Sequence, residues 1–276
     1  VNFEQLTTLI DQHGLSKHQD AILASVRPAI SLSLGEAEPG QNGQSRIGGV
    51  PDLPLSILWP KDPLMNRYLC FILQINLAQL PTFPANPFPQ QGMLYLFADE
   101  NENYAEQLVF YDGSEPLQPA YLPEDAQFIT NWYENLVTHR LKLDLLPDIP
   151  RWATNDFYEL CDRLKLDNEL KLNDLGRTLS QNSIGKLLGH VSGIGHDPRE
   201  DAYLVKEVNP KWLYNYEQRR TLDMTRAQSW HNLLEVESST SVDLMFGDAG
   251  YLQILIHRED LKQHDFSKVY VNLESS

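Results

Sequence analysis

Two glutamates, Glu235 and Glu237, close an apolar run read as a strand from Asn232 to Val236. Residues two apart on a strand share a face. Carboxylates paired in this way suit general acid and base work, and the other reading is a solvated strand end. An earlier run, Leu69 to Leu77, ends on a matching pair of amides, Gln74 and Asn76. These either line a pocket with the Gly48-Gly49 loop or pair the backbone groups of that loop, which need partners if buried. Trp59, just before Pro60, is either a stacking platform for a ligand or a plug beneath the same loop. His190, His196 and Asp197 share a loop with Gly189, Gly193 and Gly195. Two imidazoles and a carboxylate could hold a metal with one open position. The spacing matches no recognised zinc pattern, and glycine-rich loops use His and Asp for local hydrogen bonds. No metal and no cofactor is expected.

The recognised catalytic patterns fail on particular residues. Gly43-x4-Gly48 is followed by Gly49 where a phosphate-binding loop needs lysine. Asp99-x-Asn101-x-Asn103 begins like a calcium loop, but Tyr104 and Phe110 replace its turn glycine and its bidentate glutamate. No Gly-x-Ser-x-Gly elbow occurs. No catalytic residue is assigned. Asp248 reads as part of the turn before the Tyr251 strand. Cys70 and Cys161 lie in apolar surroundings and read as small buried hydrophobes.

Charge narrows the partners. The 276 residues carry 22 Lys+Arg against 38 Asp+Glu, a net charge of −16. That argues against nucleic acid and against an anionic membrane surface. No apolar run approaches a membrane span and no leader pattern opens the chain, so a cytoplasmic location is expected. Tyr68 to His139 contains no Lys or Arg but nine acids: Asp99, Glu100, Glu102, Glu106, Asp112, Glu115, Glu124, Asp125 and Glu134. The six from Asp99 to Glu115 form a candidate acidic face for a basic protein partner. Solubility is the simpler use of such a surface.

The elements that must position these residues follow from periodicity. Phe3, Leu6 and Ile10 begin a helix that Gly14 ends, and a second runs from Asp20 to Val26. Ile30 to Leu34 alternates as a half-buried strand. A long ordered loop spans Gly35 to Pro63. Strands at Leu69–Leu77, Met93–Ala98 and Gln107–Tyr111 read as an antiparallel meander. A helix capped by Thr154 or Asn155 and carrying Phe157, Leu160, Cys161 and Leu164 follows, then helices from Asn168 to a stop at Gly176, from Glu200 to Glu207 and from Trp212 to Arg226. Strands return at Asn232–Val236, Tyr251–His257 and Lys268–Leu273. Strands, helices and strands in blocks indicate an α+β fold, mainly antiparallel, with helices at the N-terminus and in the middle.

Two blocks echo one another. Gly48-Gly49-Val50-Pro51, Ile72 to Asn76 and the strand after Gly92 match Gly189-His190-Val191-Ser192, Leu233 to Glu237 and the strand after Gly250. This suggests an internal repeat with halves at 28–140 and 180–273 and a helical insertion between them. On that reading the two amides face one side of the protein and the two carboxylates the other.

The ordered set Gly48-Gly49-x-Pro51-x-x-Pro54, Trp59-Pro60, Leu73-Gln74-Ile75-Asn76-Leu77, Gly92-x-Leu94-x-Leu96-Phe97 and Phe246-Gly247-Asp248-x-Gly250 resembles the YwqG-like family of bacterial proteins. The resemblance spans roughly residues 28 to 273, and one domain over 1–276 is expected. The second block departs from the family pattern at Gly189-His190-Val191-Ser192 and at Leu234-Glu235-Val236-Glu237. The resemblance implies a fold and a cytoplasmic location but no established activity. Such proteins have been proposed as immunity partners in bacterial toxin systems. The leading expectation is a protein-interaction role for the acidic face. A small-molecule pocket at the Gly48-Gly49 loop comes second. A hydrolase using Glu235/Glu237 or His190/His196 comes third.

Overall fold

The computed structural model describes residues 3–38, 40–99, 105–122, 124, 126–128 and 135–275, with only the backbone at 105–107. The fold is α+β, built on a ten-stranded sheet in which every neighbouring pair is antiparallel. Its strands are β1 (Arg27–Leu34), β2 (Arg46–Ile47), β4 (Cys70–Asn76), β5 (Met93–Asp99), β6 (Ala105–Tyr111), β8 (His139–Asp148), β9 (Gly185–Leu188), β10 (Trp230–Glu237), β11 (Tyr251–His257) and β12 (Val269–Glu274). The order is β12-β11-β10-β9-β1-β8-β2-β4-β5-β6. Two short strands, β3 (Asp52–Leu53) and β7 (Gln118–Pro119), pair apart from it.

The central pair β1 and β8 separates two wings that match position for position. Arg46 of β2 pairs with Gln74, as Lys186 of β9 pairs with Glu235. Gln74 pairs with Tyr95 and Asn76 with Met93; Glu235 pairs with Gln253 and Glu237 with Tyr251. Each wing has a register shift at the same place, between Phe71 and Leu73 and between Asn232 and Leu234. The bulge lets two consecutive apolar residues enter the core, Ile72-Leu73 in one wing and Leu233-Leu234 in the other. Beyond the bulge, Gln74 and Asn76, or Glu235 and Glu237, take the opposite face from the core.

The register corrects two expectations. Gly48 and Gly49 have φ of +70° and +77°; their counterparts are Leu188 and Gly189, at +60° and +75°. The second loop is therefore displaced by one residue from the match read in the sequence. The amides and carboxylates also share one face of the sheet. Arg46 sits opposite Arg140, Ser31 opposite both Asp144 and Lys186, and Arg140 and Asp144 lie on the same face of β8.

One core cluster fills the inner face of both wings, with Ile47, Leu73 and Leu94 beside Leu187, Leu234 and Ile254. The sheet curls around it until Phe110 of β6 meets Phe266, just before β12, with ring centroids 5.0 Å apart. The outer face is covered differently on each wing. Leu53, Ile57 and Trp59 of the long loop pack on Phe71, Tyr95 and Phe97. The second wing packs Trp230 and Leu255 against Ala202 and Tyr203 of a helix at Pro198–Tyr203. Four further helices form their own cluster beside the centre: α1 (Phe3–Gln12), α2 (Gln19–Ala24), α3 (Asn155–Leu164) and α4 (Leu170–Ser180). Thr154 caps α3 by accepting from the Phe157 amide.

Elsewhere the helix expectations change. α4 runs through Gly176 to Ser180, with that glycine buried and its carbonyl accepting from Arg151 Nη1 at 2.7 Å. The expected helix from Trp212 to Arg226 is broken into short turns at Pro210–Trp212, Tyr216–Arg219 and Met224–Ser229. Asn215 and Asp223 each cap a new start there. Among the described residues no helix is long and apolar enough to cross a membrane.

Candidate functional site

The matched wings put two polar clusters on the outer face, one filled and one open. In the first wing the chain fills the place itself. After the turn at Gly48-Gly49, Asp52 is driven down onto Gln74 and Arg46. Asp52 Oδ2 accepts from Arg46 Nη1 at 2.7 Å, from Gln74 Nε2 at 2.9 Å and from the Gly43 amide at 2.7 Å. The Asp52 amide donates to Gln74 Oε1 at 2.8 Å and its carbonyl accepts from Tyr95 Oη at 2.6 Å. Burial by itself would raise the Asp52 pKa, but Arg46, the Gly43 amide and Gln74 together hold it below the usual carboxylate range. Asn76 donates to the Gly43 carbonyl at 2.7 Å and caps the turn that follows. A Cβ at Gly49 would lie 2.5 Å from Thr138 Oγ1, so the loop can descend here only as glycine.

The pocket expected between the Gly48-Gly49 loop and Gln74/Asn76 is therefore corrected to a filled contact, with Gln74 and Asn76 serving as anchors. Trp59 acts as a plug, donating to the Leu69 carbonyl at 2.7 Å and meeting Phe97 edge-on at 5.5 Å.

In the second wing the matching place is open. The counterpart of Asp52 is Ser192, and a cavity of about 550 Å³ lies where the plug would be. Lys186, Glu235, Glu237 and Tyr251 line it from the sheet, with Arg151 and Trp152 from the segment after β8. α4 contributes Asn173, Arg177 and Ser180.

A buried ion cluster builds the floor. Asp148, at the end of β8, is fully buried. It accepts from Lys186 Nζ at 2.9 Å, from Arg151 Nε at 2.9 Å and from the His190 amide at 2.8 Å. Burial alone would raise its pKa, but Arg151, Lys186 and that amide hold the carboxyl far below its ordinary range. Gly189 makes this approach possible, since a Cβ there would lie 2.5 Å from Asp148 Oδ2.

Above the floor stand the two glutamates. Glu235 is buried and accepts from Gln253 Nε2 at 2.9 Å. Glu237 is half-buried, and no described side chain donates to its carboxylate. Burial, reinforced by the Glu235 charge, pushes the Glu237 pKa up to about 7. Burial and the same acids push the Tyr251 phenol up as well.

A raised carboxyl pKa has a definite sign for stability. Glu237 favours the folded state while protonated, and that contribution is lost as pH rises from its unfolded value through about 7. Glu237→Gln is therefore expected to stabilise the protein at pH 8 by about 1–3 kcal/mol and to leave pH 4 nearly unchanged. Urea unfolding of both proteins at the two pH values measures the difference. An equal gain at both would contradict it.

The remaining candidates lie elsewhere. His190 approaches Asp156 at 3.3 Å and the Ser25 carbonyl at 2.9 Å, and burial pulls its pKa down. His196 pairs with Asp201 at 2.6 Å, which raises its pKa. Asp197 caps the helix at Pro198–Tyr203 and binds Arg199. The three do not share a ligand position, and neither histidine lines the glutamate cavity. Cys70 and Cys161 are buried, and burial pushes the Cys161 thiol up to about 12.

Of the acidic stretch, Asp112, Glu115 and Glu124 are exposed, whereas Asp99 is buried at the end of β5. Burial removes Asp99 from any surface. Glu100, Glu102, Asp125, Glu134 and the Glu106 side chain lie outside the described residues.

Asp148, Arg151, Lys186, Tyr251 and Gln253 are site residues that the sequence reading missed. The strict alternation of Leu141, Leu143 and Leu145 would have revealed β8 and brought Asp148 to its end. β9 is four residues long and offers no comparable signal.

A search of curated proteins returns no match. The family described as a domain of unknown function (DUF1963) matches residues 45–274, a span that takes in β2, the plugged wing, the glutamate cavity and β12. With its whole candidate site inside that span, the chain belongs to the DUF1963 family.

Proposed function

We propose that this protein binds a small polar molecule in the cavity of the second wing. The observation that carries the reading is the contrast between two matched places on one sheet. One is closed by Asp52 with every polar group of Gln74 engaged; the other stands open and presents Glu235, Glu237 and Tyr251. A volume of about 550 Å³ lies within the range of small-molecule sites. Hydrolysis would need a base beside a nucleophile or a second positioned acid. Glu235 and Glu237 could supply the acids, but neither His190 nor His196 joins them. The acidic-face reading retains Asp112 and Glu115 as exposed described residues, and no further observation favours it.

A thermal-shift screen of polar compound classes (amines, carboxylates, sugars and nucleosides) tests the reading. At least one class is expected to raise the melting temperature of the wild type. That shift is expected to vanish in Asn173→Trp, which places an indole in the cavity from α4. Silence across all classes, or shifts that persist in Asn173→Trp, would overturn it.

A further inference from the structure

The charged groups of the cavity are unequally satisfied. Both floor cations already have partners: Lys186 and Arg151 engage Asp148, and Arg151 also donates to the Gly176 carbonyl at 2.7 Å. Arg177 stands exposed at the rim. The acceptors are less well supplied. Among the described residues one side chain donates to Glu235 and none to Glu237. Among the described residues the buried Tyr251 hydroxyl has no hydrogen-bond partner. Oε1 of Gln253, buried completely beside Glu235 behind the cavity lining, likewise has none among them. The Glu237 carboxylate on the cavity lining, left in this state, calls for a donor.

The plugged wing shows what kind of group fits. There Gln74 Oε1 accepts an N–H, that of the Asp52 amide, at 2.8 Å. Its counterpart in the open wing is Glu235, so a neutral acceptor of an N–H has become a charged one. A charged acceptor prefers a charged donor. Trp152, Leu146 and Ile194 add apolar wall on the cavity lining. An aliphatic stem can lie against such a wall while its cationic head reaches the carboxylates.

We propose that the ligand of this cavity is an organic cation, an ammonium or guanidinium group on a short aliphatic stem, seated between Glu235 and Glu237. The proposal rests on the reading of the cavity as a ligand site. The cation binds the ionised form of Glu237. Below pH 7 it must displace the proton that burial and Glu235 favour there. Binding therefore strengthens with pH and releases a proton in the acid range.

Isothermal titration with 1,4-diaminobutane and agmatine tests this, beside glutarate, 1,4-butanediol and calcium chloride, at pH 6 and pH 8. The two amines are expected to bind about tenfold more tightly at pH 8 than at pH 6, as the ionised fraction of Glu237 rises. Glu237→Gln is expected to weaken them about tenfold or more and to abolish the pH dependence. Glu235→Gln is expected to weaken them as well. Should that variant fail to fold, Glu237→Gln still decides. Binding of glutarate or butanediol with none of the amines would overturn the ligand class and leave the cavity a ligand site. Calcium binding that depends on Glu235 and Glu237 and excludes the amines would also overturn it. Failure of every compound here and in the thermal screen would remove the site itself.

Discussion

Asp148→Ala is expected to destabilise the protein by about 3–5 kcal/mol, the scale for removing one partner from a buried ion cluster. Asp148 is completely buried, and Lys186, its partner in β9, is only 4% exposed in its side chain. Removing the carboxylate leaves the Lys186 ammonium and the Arg151 guanidinium facing each other without their counter-ion. It also strands the His190 amide, which donates to Asp148. Asp148→Asn keeps the volume but not the charge and is expected to lose nearly as much. Adding Lys186→Met to Asp148→Ala is expected to recover part of the loss, because one of the orphaned charges goes with it. The sign with pH follows from the depressed pKa. The stabilisation is present at neutral pH and fades as pH falls below the ordinary carboxylate range. Urea unfolding at pH 7 measures all three proteins. A loss below about 1 kcal/mol for Asp148→Ala would mean that the cluster does not hold the floor of the cavity.

Asp52→Ala is expected to cost a similar amount, about 3–5 kcal/mol, by a different route. The lost carboxylate frees Arg46, whose side chain is 4% exposed, and takes an acceptor from Gln74 and from the Gly43 amide. The loop keeps two of its anchors, because the Asp52 amide and carbonyl still reach Gln74 and Tyr95. The expected result is a folded but weakened first wing with a void where the carboxylate was. Hydrogen exchange should therefore loosen most at Gly43–Leu53 and in β4, with the second wing less affected. Uniform loosening through both wings, or a loss below about 1 kcal/mol, would contradict this account.

Much of this arrangement was legible in the residues, and the illegible parts have physical causes. The pairs Gln74/Asn76 and Glu235/Glu237 are recognisable as equivalents because strand periodicity carries over a bulge, which leaves the polar residues beyond it on one face. Their opposite fates are not recognisable. Whether a polar strand end is filled depends on a loop that arrives from elsewhere, and Asp52 comes from a two-residue strand with no periodicity to read. The Gly48-Gly49 motif pointed to the right loop but suggested a ligand where the chain itself is bound. The one-residue offset of the second loop is hidden because its first left-handed position is Leu188, where glycine is the usual occupant. Asp99 looked like a surface acid because it begins an acidic run, yet it is the last residue of a strand buried along its length. Arg151 and Lys186 come from separate segments and meet only through Asp148, so no local spacing announces them.

The place of β1 at the middle of the sheet bears on how the chain is made. Each wing is assembled from neighbours close in sequence: β4 with β5 and β6 on one side, β10 with β11 and β12 on the other. β1 has no such neighbour. Ser31 donates to the Asp144 carbonyl 113 residues away, and its other partner strand, β9, lies later still. Loops of that length close late and slowly compared with hairpins. On a ribosome β1 emerges before the rest of the sheet, with Ala29, Ile30 and Leu32 destined for burial and both of its edges unpaired until β8 and β9 have been synthesised. The strand of this sheet that is made first is therefore among the last to be satisfied. During that interval the nascent chain is most exposed to mispairing with other strands and most in need of chaperone cover.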